Sequence, residues 1–470
     1  MNPESAIMSR QVATILFPLH ERLKGHDSVA RMGALEGSQW WSAGSLQNHR
    51  LAGLKSLLEY AGCHVPYYRS LFREIGFDPR AMNQLSDLQR LPLLSKAIIR
   101  ANDLKSEVAG PLKRYNTGGS SGEPLIFFMG RSRISHDVAA KRRATRWWGV
   151  DIGDPEIVVW GSPIELGAQD RLRLIRDKLL RSKLLPAFEM SPARLAGFIR
   201  EIRAFRPRMI FGYPSALAHI AEYAKASGQR LDDLGVQVAF VTSEMLYGEQ
   251  RAQISAAFGC SVANGYGGRD AGFIAHECPS GGMHISAEDI IVEIVDAEGH
   301  ALSAGEPGEI VVTHLATADF PFIRYRTGDI GILDDAQCQC GRGLPMLKEI
   351  QGRTSDFVVA ADGTVMHGLA LVYIVRDLAG VKQFKIIQES LELTRVQLVT
   401  DAAFDTASLI LIEQGFKARL GSEVRIVAEQ VARIAPEKSG KFRYVVSHAV
   451  MPGIGTIPAS PRQPQTCETR

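Results

Sequence analysis

Between Leu91 and about Val262, short strand-like runs alternate with amphipathic helices, and this alternation constrains the fold more than any other feature of the chain. The apolar runs that predict buried strands include Ile157–Trp160, Met209–Gly212 and Val236–Thr242. The helical patterns that come after such runs include Ser215–Ala226 and Tyr247–Phe258. Repeated strand, loop and helix predict an α/β layered sheet with a binding site at the strand ends.

The pattern changes twice beyond this region. From His284 to Asp334, strand follows strand with short turns, which predicts antiparallel ribs. After Gly352 the chain predicts a small α+β unit. The predicted fold class is α/β: a large layered N-terminal domain, with parallel-rich sheets and a small antiparallel barrel, and a small mobile α+β C-terminal domain. The predicted boundaries are a helical lead-in over 1–50, the large domain over 51–353, the small domain over 354–450 and a disordered tail over 451–470.

Charge and apolar content exclude several classes of protein. The net charge is only +3, so no general field attracts nucleic acid or an anionic membrane. No apolar run approaches the length that spans a bilayer, and the N-terminus lacks the pattern of a secretion signal. Six cysteines scattered over 470 residues do not make a disulfide framework. We expect a cytoplasmic protein, monomeric or homodimeric, without nucleic-acid or membrane partners.

The segment Tyr115–Pro124 combines glycines with small hydroxyl residues. Glycines let the backbone turn its N–H groups onto an anion, and Thr117, Ser120 and Ser121 add hydroxyl donors. The segment is not a Walker loop, because no Gly-Lys-Ser/Thr follows at the required spacing. Two interpretations remain open from the segment alone: a polyphosphate cradle, or a polar hairpin loop between two strands.

Further motifs follow in a fixed order, although each alone is explained by a turn or a hairpin tip. They are Ser243-Glu244, Asn264–Asp270, Tyr325–Asp329, Gly352–Asp356 and Glu437–Arg443. Their order resembles the AMP-forming adenylating enzymes, the superfamily of acyl-CoA synthetases, luciferases and peptide-synthetase adenylation domains. The phenylacetate–CoA ligase branch, with its relatives associated with capsule biosynthesis, is the most similar. The resemblance extends from about Leu51 to His448.

The resemblance implies an ATP site. It implies that the β- and γ-phosphates of ATP are held by Thr117, Gly119, Ser120, Ser121 and Gly122. It implies that adenine lies between Ser243-Glu244 and Tyr266-Gly267, and that the ribose is held by Asp329 with support from Arg353. An aspartate suits the ribose because it accepts from two vicinal hydroxyls. Stacking of the Tyr266 ring on a purine contributes about 1–3 kcal/mol.

The resemblance also implies two catalytic residues, Asp270 and Lys441. When a carboxylate attacks the α-phosphorus, two anions meet, so cations must offset their repulsion. Asp270, in place of a longer glutamate, is implied to hold Mg²⁺, and Lys441 to bridge the α-phosphate and the substrate carboxylate. Ser355 is implied as the hinge. The segment Ala360–His367 departs from the loop that lines the CoA channel in related ligases, so the first half-reaction is better supported than the second.

Cysteines and one histidine indicate a possible structural zinc site. The predicted ligands are Cys278, His284, Cys338 and Cys340, with His276 as a substitute. Three thiolates and an imidazole close a tetrahedral Zn²⁺ site, and the phenylacetate–CoA ligase branch has similar cysteines here. The alternative is free cysteines in a loop.

The predicted acyl pocket lies at strand ends and consists of Trp160, Tyr213, Ser215, Thr242, Asn264 and Gly265. Its aromatic residues favour an aryl or arylacetic acid, although such residues are more often part of the core. The predicted function is ATP-dependent activation of a carboxylic acid to an acyl-adenylate, with release of pyrophosphate and transfer to CoA. The alternatives are transfer to an amine, and a degenerate nucleotide-binding module without turnover.

Overall fold

Two compact units make up the part of the chain that the computed structural model describes, which is residues 3–117, 125–160, 171–187, 190, 192–353, 357–376, 378–435 and 443–449. The first unit contains the described residues up to Ile294 and from Ala301 to Gly352. The second contains Val295–His300, Arg353–Ala435 and the described residues from Arg443 onwards.

Helices dominate the described residues up to Ala101, which include the helical lead-in predicted over 1–50. Ser42 begins the longest of them, because its hydroxyl accepts from the backbone N–H of Ser45. The helices up to the first strand are α1 (Pro3–Gln11), α2 (Phe17–Leu23), α3 (Ser28–Ser38), α4 (Ala43–His64), α5 (Pro66–Glu74) and α6 (Lys96–Ala101), with a π-helical turn at Val12–Leu16 and 3₁₀ turns at Pro79–Ala81 and Leu85–Arg90.

Strands and helices then alternate. A hairpin of β1 (Lys113–Asn116) and β2 (Ile126–Met129) comes first. The helices that follow are α7 (Arg131–Trp147), α8 (Arg171–Leu179), α9 (Pro192–Phe205), α10 (Pro214–Ala226) and α11 (Gly248–Phe258). The strands between and after them are β3 (Glu156–Trp160), β4 (Ser182–Pro186), β5 (Met209–Gly212), β6 (Val238–Thr242), β7 (Ser261–Gly268), β8 (Gly272–Glu277), β9 (Met283–Ile285), β10 (Ile290–Val295), β11 (Pro307–His314), β12 (Tyr325–Asp334) and β13 (Met346–Arg353).

One mixed sheet of eleven strands joins β3 to β13 in the order β10-β11-β12-β13-β9-β8-β7-β6-β5-β3-β4. Its parallel half, from β4 to β7, contains the three apolar runs that predict buried strands, as β3, β5 and β6. The ribs predicted as a small antiparallel barrel belong to this same sheet, since β8 pairs with both β7 and β9. Two large apolar clusters cover it, one around α4 and α5 and one around α9 and α10.

The strand β7 is longer than the sequence predicts. The short run at Cys260–Val262 predicts a strand that ends before the motif Asn264–Asp270, but the pairing continues to Gly268. Glycine weakens a strand in isolation, and neighbours on both sides stabilise this one. The motif therefore lies on a strand and on the turn that leads to β8.

The second unit has its own four-stranded sheet in the order β18-β17-β16-β19 and its own apolar core. Its elements are β14 (Phe357–Val359), β15 (Val365–His367), α12 (Leu369–Arg376), β16 (Val381–Gln388), β17 (Leu393–Thr400), α13 (Thr406–Leu420), β18 (Arg425–Gln430) and β19 (Val445–Ser447). The predicted α/β class with a separate small C-terminal unit is confirmed. Among the described residues, no helix combines the length and the apolar character that crossing a membrane requires.

Candidate active site

The carboxyl ends of β5 and β6 meet at one edge of the sheet and carry Glu244 and Ser215 close together. The Glu244 carboxylate accepts from the backbone N–H of Ser215 at 3.1 Å, which caps the start of α10. Ser243, which precedes it, has a φ of +72°, a conformation that costs free energy in a residue with a side chain. The structure therefore holds the Ser243-Glu244 turn by a strand on one side and a helix start on the other.

Tyr266 and Asp329 are brought together from β7 and β12. The Tyr266 hydroxyl donates to Asp329 Oδ2 at 2.9 Å. The backbone N–H of Asp329 donates to Thr327 Oγ1 at 3.1 Å, so the residue is held through both its carboxylate and its backbone. Gly267 lies next to Tyr266 on the same strand. Residues predicted to contact adenine and ribose thus share one hydrogen bond, 63 positions apart in the chain.

Asp270 lies on the turn between β7 and β8, where its carboxylate is already partnered. Tyr325 Oη donates to Asp270 Oδ2 at 2.6 Å, and the backbone N–H of Ala271 donates to Oδ1 at 3.1 Å. Tyr325 is fully buried and comes from the same motif as Asp329. Sequence reasoning gave Tyr325 no role, although its place in that motif was the available signal.

Thr117 closes the neck of the glycine-rich hairpin. Its hydroxyl accepts from the backbone N–H of Leu125 at 2.9 Å, and its own N–H donates to the Leu125 carbonyl at 3.0 Å. The Arg269 guanidinium reaches the Asn116 carbonyl at 3.4 Å. The base of the hairpin and the turn that carries Asp270 are therefore neighbours.

Aromatic rings line the predicted pocket wall. The rings of Trp160 and Tyr213 stack with centroids 4.3 Å apart, and Tyr213 is only 3% exposed. The Lys141 ammonium lies 3.8 Å from the Phe211 ring centroid and bonds Glu156 at 2.7 Å. Burial lowers the pKa of Lys141, although Glu156 opposes the shift. Because Tyr213 is so little exposed, it is part of the core, and Trp160 is its half-buried neighbour.

Three further predicted pocket residues, Thr242, Asn264 and Gly265, lie on the paired strands β6 and β7. Thr242 is opposite Gly265, and Asn264 is opposite Val241. The backbone N–H of Asn264 donates to Glu277 Oε2 at 2.8 Å. This part of the predicted pocket is consequently fixed by the parallel sheet.

Four side chains from two distant segments form the cysteine–histidine cluster (Cys278, His284, Cys338 and Cys340), with ligand atoms all within 4.8 Å of one another. Cys278 Sγ lies 3.6 Å from Cys338 Sγ, well beyond the about 2.05 Å of a disulfide. His284 Nε2 lies 3.1 Å from Cys340 Sγ. A Cβ at Gly282 would lie only 2.7 Å from Cys338 Sγ, so only glycine fits there.

The tautomer of His284 suits a metal ligand. Its Nδ1 lies 3.2 Å from the Leu344 carbonyl, which only accepts, so the ring proton belongs on Nδ1 and the Nε2 lone pair faces the sulfurs. The predicted substitute, His276, lies elsewhere. It is 1% exposed and stacks on Phe273 with centroids 5.5 Å apart.

Several predicted residues cannot be placed. The positions that lie outside the described residues are Gly119, Ser120, Ser121, Gly122, Ser355 and Lys441. The backbone of Arg353 ends β13. The roles of all these residues stay predictions.

Comparisons with known proteins give relatives of the sequence and of the fold. A family model described as the CapK C-terminal domain matches residues 358–448. The phenylacetate-coenzyme A ligase of Thermus thermophilus is 27% identical, over 67% of this chain and 71% of the relative. Protein CapK of Staphylococcus aureus is 22% identical, over 86% of this chain and 89% of the relative. The fold is that of a 2-hydroxyisobutyryl-CoA ligase crystallised with R3-HIB-AMP, with a TM-score of 0.68 and 23% identity over 87% of this chain and 90% of the other.

The fold and the order of the motifs define an AMP-forming, adenylate-forming ligase, as the sequence predicts. Within that class, the chain resembles the phenylacetate–CoA ligase-like branch, to which the CapK match of its C-terminal unit also points.

Proposed function

We propose that this ligase activates a carboxylic acid with ATP, releases pyrophosphate and transfers the acyl group from the adenylate to CoA. The observation that carries the proposal is the pair of hydroxyl–carboxylate contacts, Tyr266 with Asp329 at 2.9 Å and Tyr325 with Asp270 at 2.6 Å. Both pairs belong to motifs that resemble the nucleotide site of adenylate-forming enzymes. Relatives named phenylacetate-coenzyme A ligase support the choice of acid and of CoA.

In this proposal, one group of residues holds the base and the ribose of the nucleotide, and another group holds its phosphates. Adenine stacks on the Tyr266 ring, with Ser243-Glu244 on the other face. Asp329 accepts from the ribose hydroxyls, and Arg353 supports it. Fixing the carboxylate in advance by the Tyr266 hydroxyl reduces the ordering cost of binding. The glycine-rich loop that follows Thr117 receives the triphosphate.

Asp270 is the proposed Mg²⁺ ligand. Each of its oxygens accepts one hydrogen bond and keeps a further lone pair, which suits a hard cation bound directly or through water. Mg²⁺ would supply positive charge beside the triphosphate. Lys441 would supply the second positive charge, between the α-phosphate and the attacking carboxylate. Rotation of the C-terminal unit about Ser355 would then withdraw Lys441 before acyl transfer.

A flat acid is the proposed substrate class. The Trp160 ring, stacked on Tyr213, offers a rigid aromatic wall, and the paired strands at Thr242 and Gly265 offer a second. Rings bury a large apolar area and stack well on such walls. Aryl and arylacetic acids are therefore favoured over long aliphatic chains.

An amine is the second candidate acceptor. The C-terminal unit matches the CapK C-terminal domain, and the CapK relative is not named a CoA ligase. The departure of Ala360–His367 from the loop of related ligases motivates the same alternative.

The cysteine–histidine cluster is proposed to hold structural Zn²⁺. Three sulfurs and one imidazole match a closed tetrahedral site, and the His284 tautomer fits it. Such a site leaves no position for substrate, so its proposed role is to tie β8 and β9 to the Cys338–Cys340 segment.

A carboxylate-dependent exchange between pyrophosphate and ATP tests the first half-reaction. We expect exchange with at least one member of a panel of aryl, arylacetic, fatty and amino acids. Product analysis with CoA alone and with amines alone then separates the two acceptors. Absence of exchange across the panel would favour a nucleotide-binding module without turnover.

A further inference from the structure

A buried polar cluster lies directly beneath the turn that carries Asp270. Its members are Arg133, His136 and Asp137 on α7 and His314 at the end of β11. Arg133 is 2% exposed, and both histidines are fully buried. Neither the sequence motifs nor the proposed function gives these residues a role, and burial of a guanidinium is costly unless its partners are specific.

Arg133 makes two kinds of contact. Its Nε lies 3.0 and 3.1 Å from the two Asp137 oxygens, one helical turn away. Its Nη1 donates to the Asp270 carbonyl at 3.2 Å, and its Nη2 to the Arg269 carbonyl at 3.3 Å. One guanidinium therefore joins α7 to two successive carbonyls of the β7–β8 turn.

The turn rests on this cluster without a gap. Gly272 has a φ of +92°, and a Cβ there would lie 2.9 Å from the His314 ring and 3.1 Å from Arg133 Nη2. Asp270 is thus held at both ends: its carbonyl by Arg133 and its carboxylate by Tyr325. Movement of the guanidinium would move the carboxylate.

Asp137 keeps Arg133 in this orientation. Burial opposes ionisation of Asp137, but Arg133 and His136 outweigh it and lower the pKa of that carboxyl. The rings of His136 and His314 pack edge to face, with centroids 4.7 Å apart, and enclose the ion pair.

The same residues do not form a metal site, although His136, Asp137 and His314 lie close together. The Nδ1 of His314 accepts from the backbone N–H of Ala316 at 3.3 Å, so the neutral ring carries its proton on Nε2, the atom that faces Asp137. The Arg133 guanidinium, 3.0 and 3.1 Å from the two Asp137 oxygens, also places a positive charge where a metal ion would have to bind.

We propose that Arg133 is a positioning residue: by holding the carbonyls of Arg269 and Asp270, it sets the place of the Asp270 carboxylate for the metal–nucleotide complex. The inference rests on the proposed function, because it takes Asp270 to face that complex. Arg133 itself contacts no reacting atom.

Two variants and a matched control test the proposal in the full chain. Arg133→Lys keeps the charge beside Asp137 but replaces the fork with a single point that cannot reach both carbonyls. Arg133→Met removes the charge as well. Arg143→Lys is the control, since Arg143 is 1% exposed on the same helix but bonds Glu288 and Ser286 instead.

Hydrogen exchange of peptides that cover Gly268–Gly272 measures the turn, and Mn²⁺ electron paramagnetic resonance measures binding of Mn²⁺·ATP without an acid substrate. We expect both Arg133 variants to exchange at least about tenfold faster there and to bind Mn²⁺·ATP about tenfold more weakly. Because Arg143 bonds Glu288 and Ser286 and not the turn, the control should stay within about twofold of the wild type in both of these local measurements.

The outcomes separate this inference from the proposed function. Wild-type affinity in Arg133→Lys would overturn the inference, whether or not exchange in the turn increases. Equal losses in Arg143→Lys would overturn it too, because general loosening of α7 would then be the cause. If Arg133→Met does not fold, Arg133→Lys decides alone. A wild type that binds Mn²⁺·ATP but exchanges no pyrophosphate with any acid would refute the proposed function and leave these comparisons valid.

Discussion

Two regions on the same set of strands use different chemistry. The hydroxyl–carboxylate pairs (Tyr266 with Asp329 and Tyr325 with Asp270) are complete as hydrogen-bonded units. The cysteine–histidine cluster gathers four ligand atoms within 4.8 Å, with sulfurs that are weak hydrogen-bond partners for one another. Strand β8 begins beside Asp270 and ends beside Cys278.

From this difference we expect the first region to support turnover and the second to support the fold. The Asp270 carboxylate keeps lone pairs on both oxygens, which a ligand can bind and later release. The cluster offers a closed set of soft ligands, which suits an ion that stays bound. Changes to the nucleotide side should therefore alter rates at constant stability, and changes to the cluster should alter stability at nearly constant rates.

The largest expected effect is on the chemical side. As a hypothesis, Lys441→Ala should lower the rate of adenylate formation by about 10³, because a cation at the reacting phosphate is lost. Thioester formation from synthetic adenylate should fall far less. Thermal unfolding should stay near that of the wild type. Separate rate measurements of the two half-reactions check this prediction. Equal losses of rate in both would contradict the proposed rotation about Ser355.

Loss of the cluster should have the largest effect on the fold. Cys338→Ser with Cys340→Ser should abolish zinc binding and lower the free energy of unfolding by about 4 kcal/mol, since bound metal adds its binding free energy to the folded state. The catalytic rate per folded molecule should not change. Elemental analysis and denaturant titration measure both, with Cys63→Ser as an exposed control. Wild-type protein without zinc, prepared without chelator, would refute the site.

A buried ion pair outside both regions provides a second loss of stability, with which the loss at the cluster can be compared. Burial raises the pKa of Glu156, but Lys141 and Arg142 together outweigh it and lower the pKa to about 2. The folded pKa is below the usual 4.5, so the stabilisation is present above pH 4.5 and is lost as pH falls towards 2. Glu156→Gln should cost about 3 kcal/mol at pH 7.

The difference in the free energy of unfolding between the wild type and Glu156→Gln should decrease by about 2 kcal/mol between pH 5 and pH 3. Urea titrations at several pH values measure it. The exposed Glu107, paired with Arg69, supplies the control Glu107→Gln, for which only a small change is expected. A gap that does not depend on pH would mean that the ion pair does not carry the stabilisation.

The smallest expected effect separates the orientation of the Asp329 carboxylate from its charge. Tyr266→Phe keeps the ring but removes the donor to Asp329, so the KM for ATP should rise about fivefold, or about 1 kcal/mol, with kcat nearly unchanged. Tyr60→Phe is the matched control, because it loses a hydroxyl bonded to Ser106 instead. An unchanged KM would show that Asp329 needs no help from Tyr266.

Local patterns predicted much of the fold. The strand Met209–Gly212 and the core strand within Val236–Thr242 lie where their apolar runs indicate. The family resemblance and the fold class were also predicted correctly, because the motifs and their order can be found in the sequence alone. The predicted domain limits and site roles stay predictions. The extension of β7 to Gly268 was not predicted, because glycine carries no strand signal and the pairing comes from neighbouring strands.

The sequence by itself determined the class of ligase, the α/β layering and the residue types at each motif, since all of these depend on patterns within short segments. Only the tertiary structure decided which of those residues meet. Tyr325 on Asp270, Arg133 beneath the same turn, and Cys278 near Cys338 are contacts between segments 55, 137 and 60 positions apart. Such contacts follow from how the strands of the sheet are ordered, and no local pattern encodes that order.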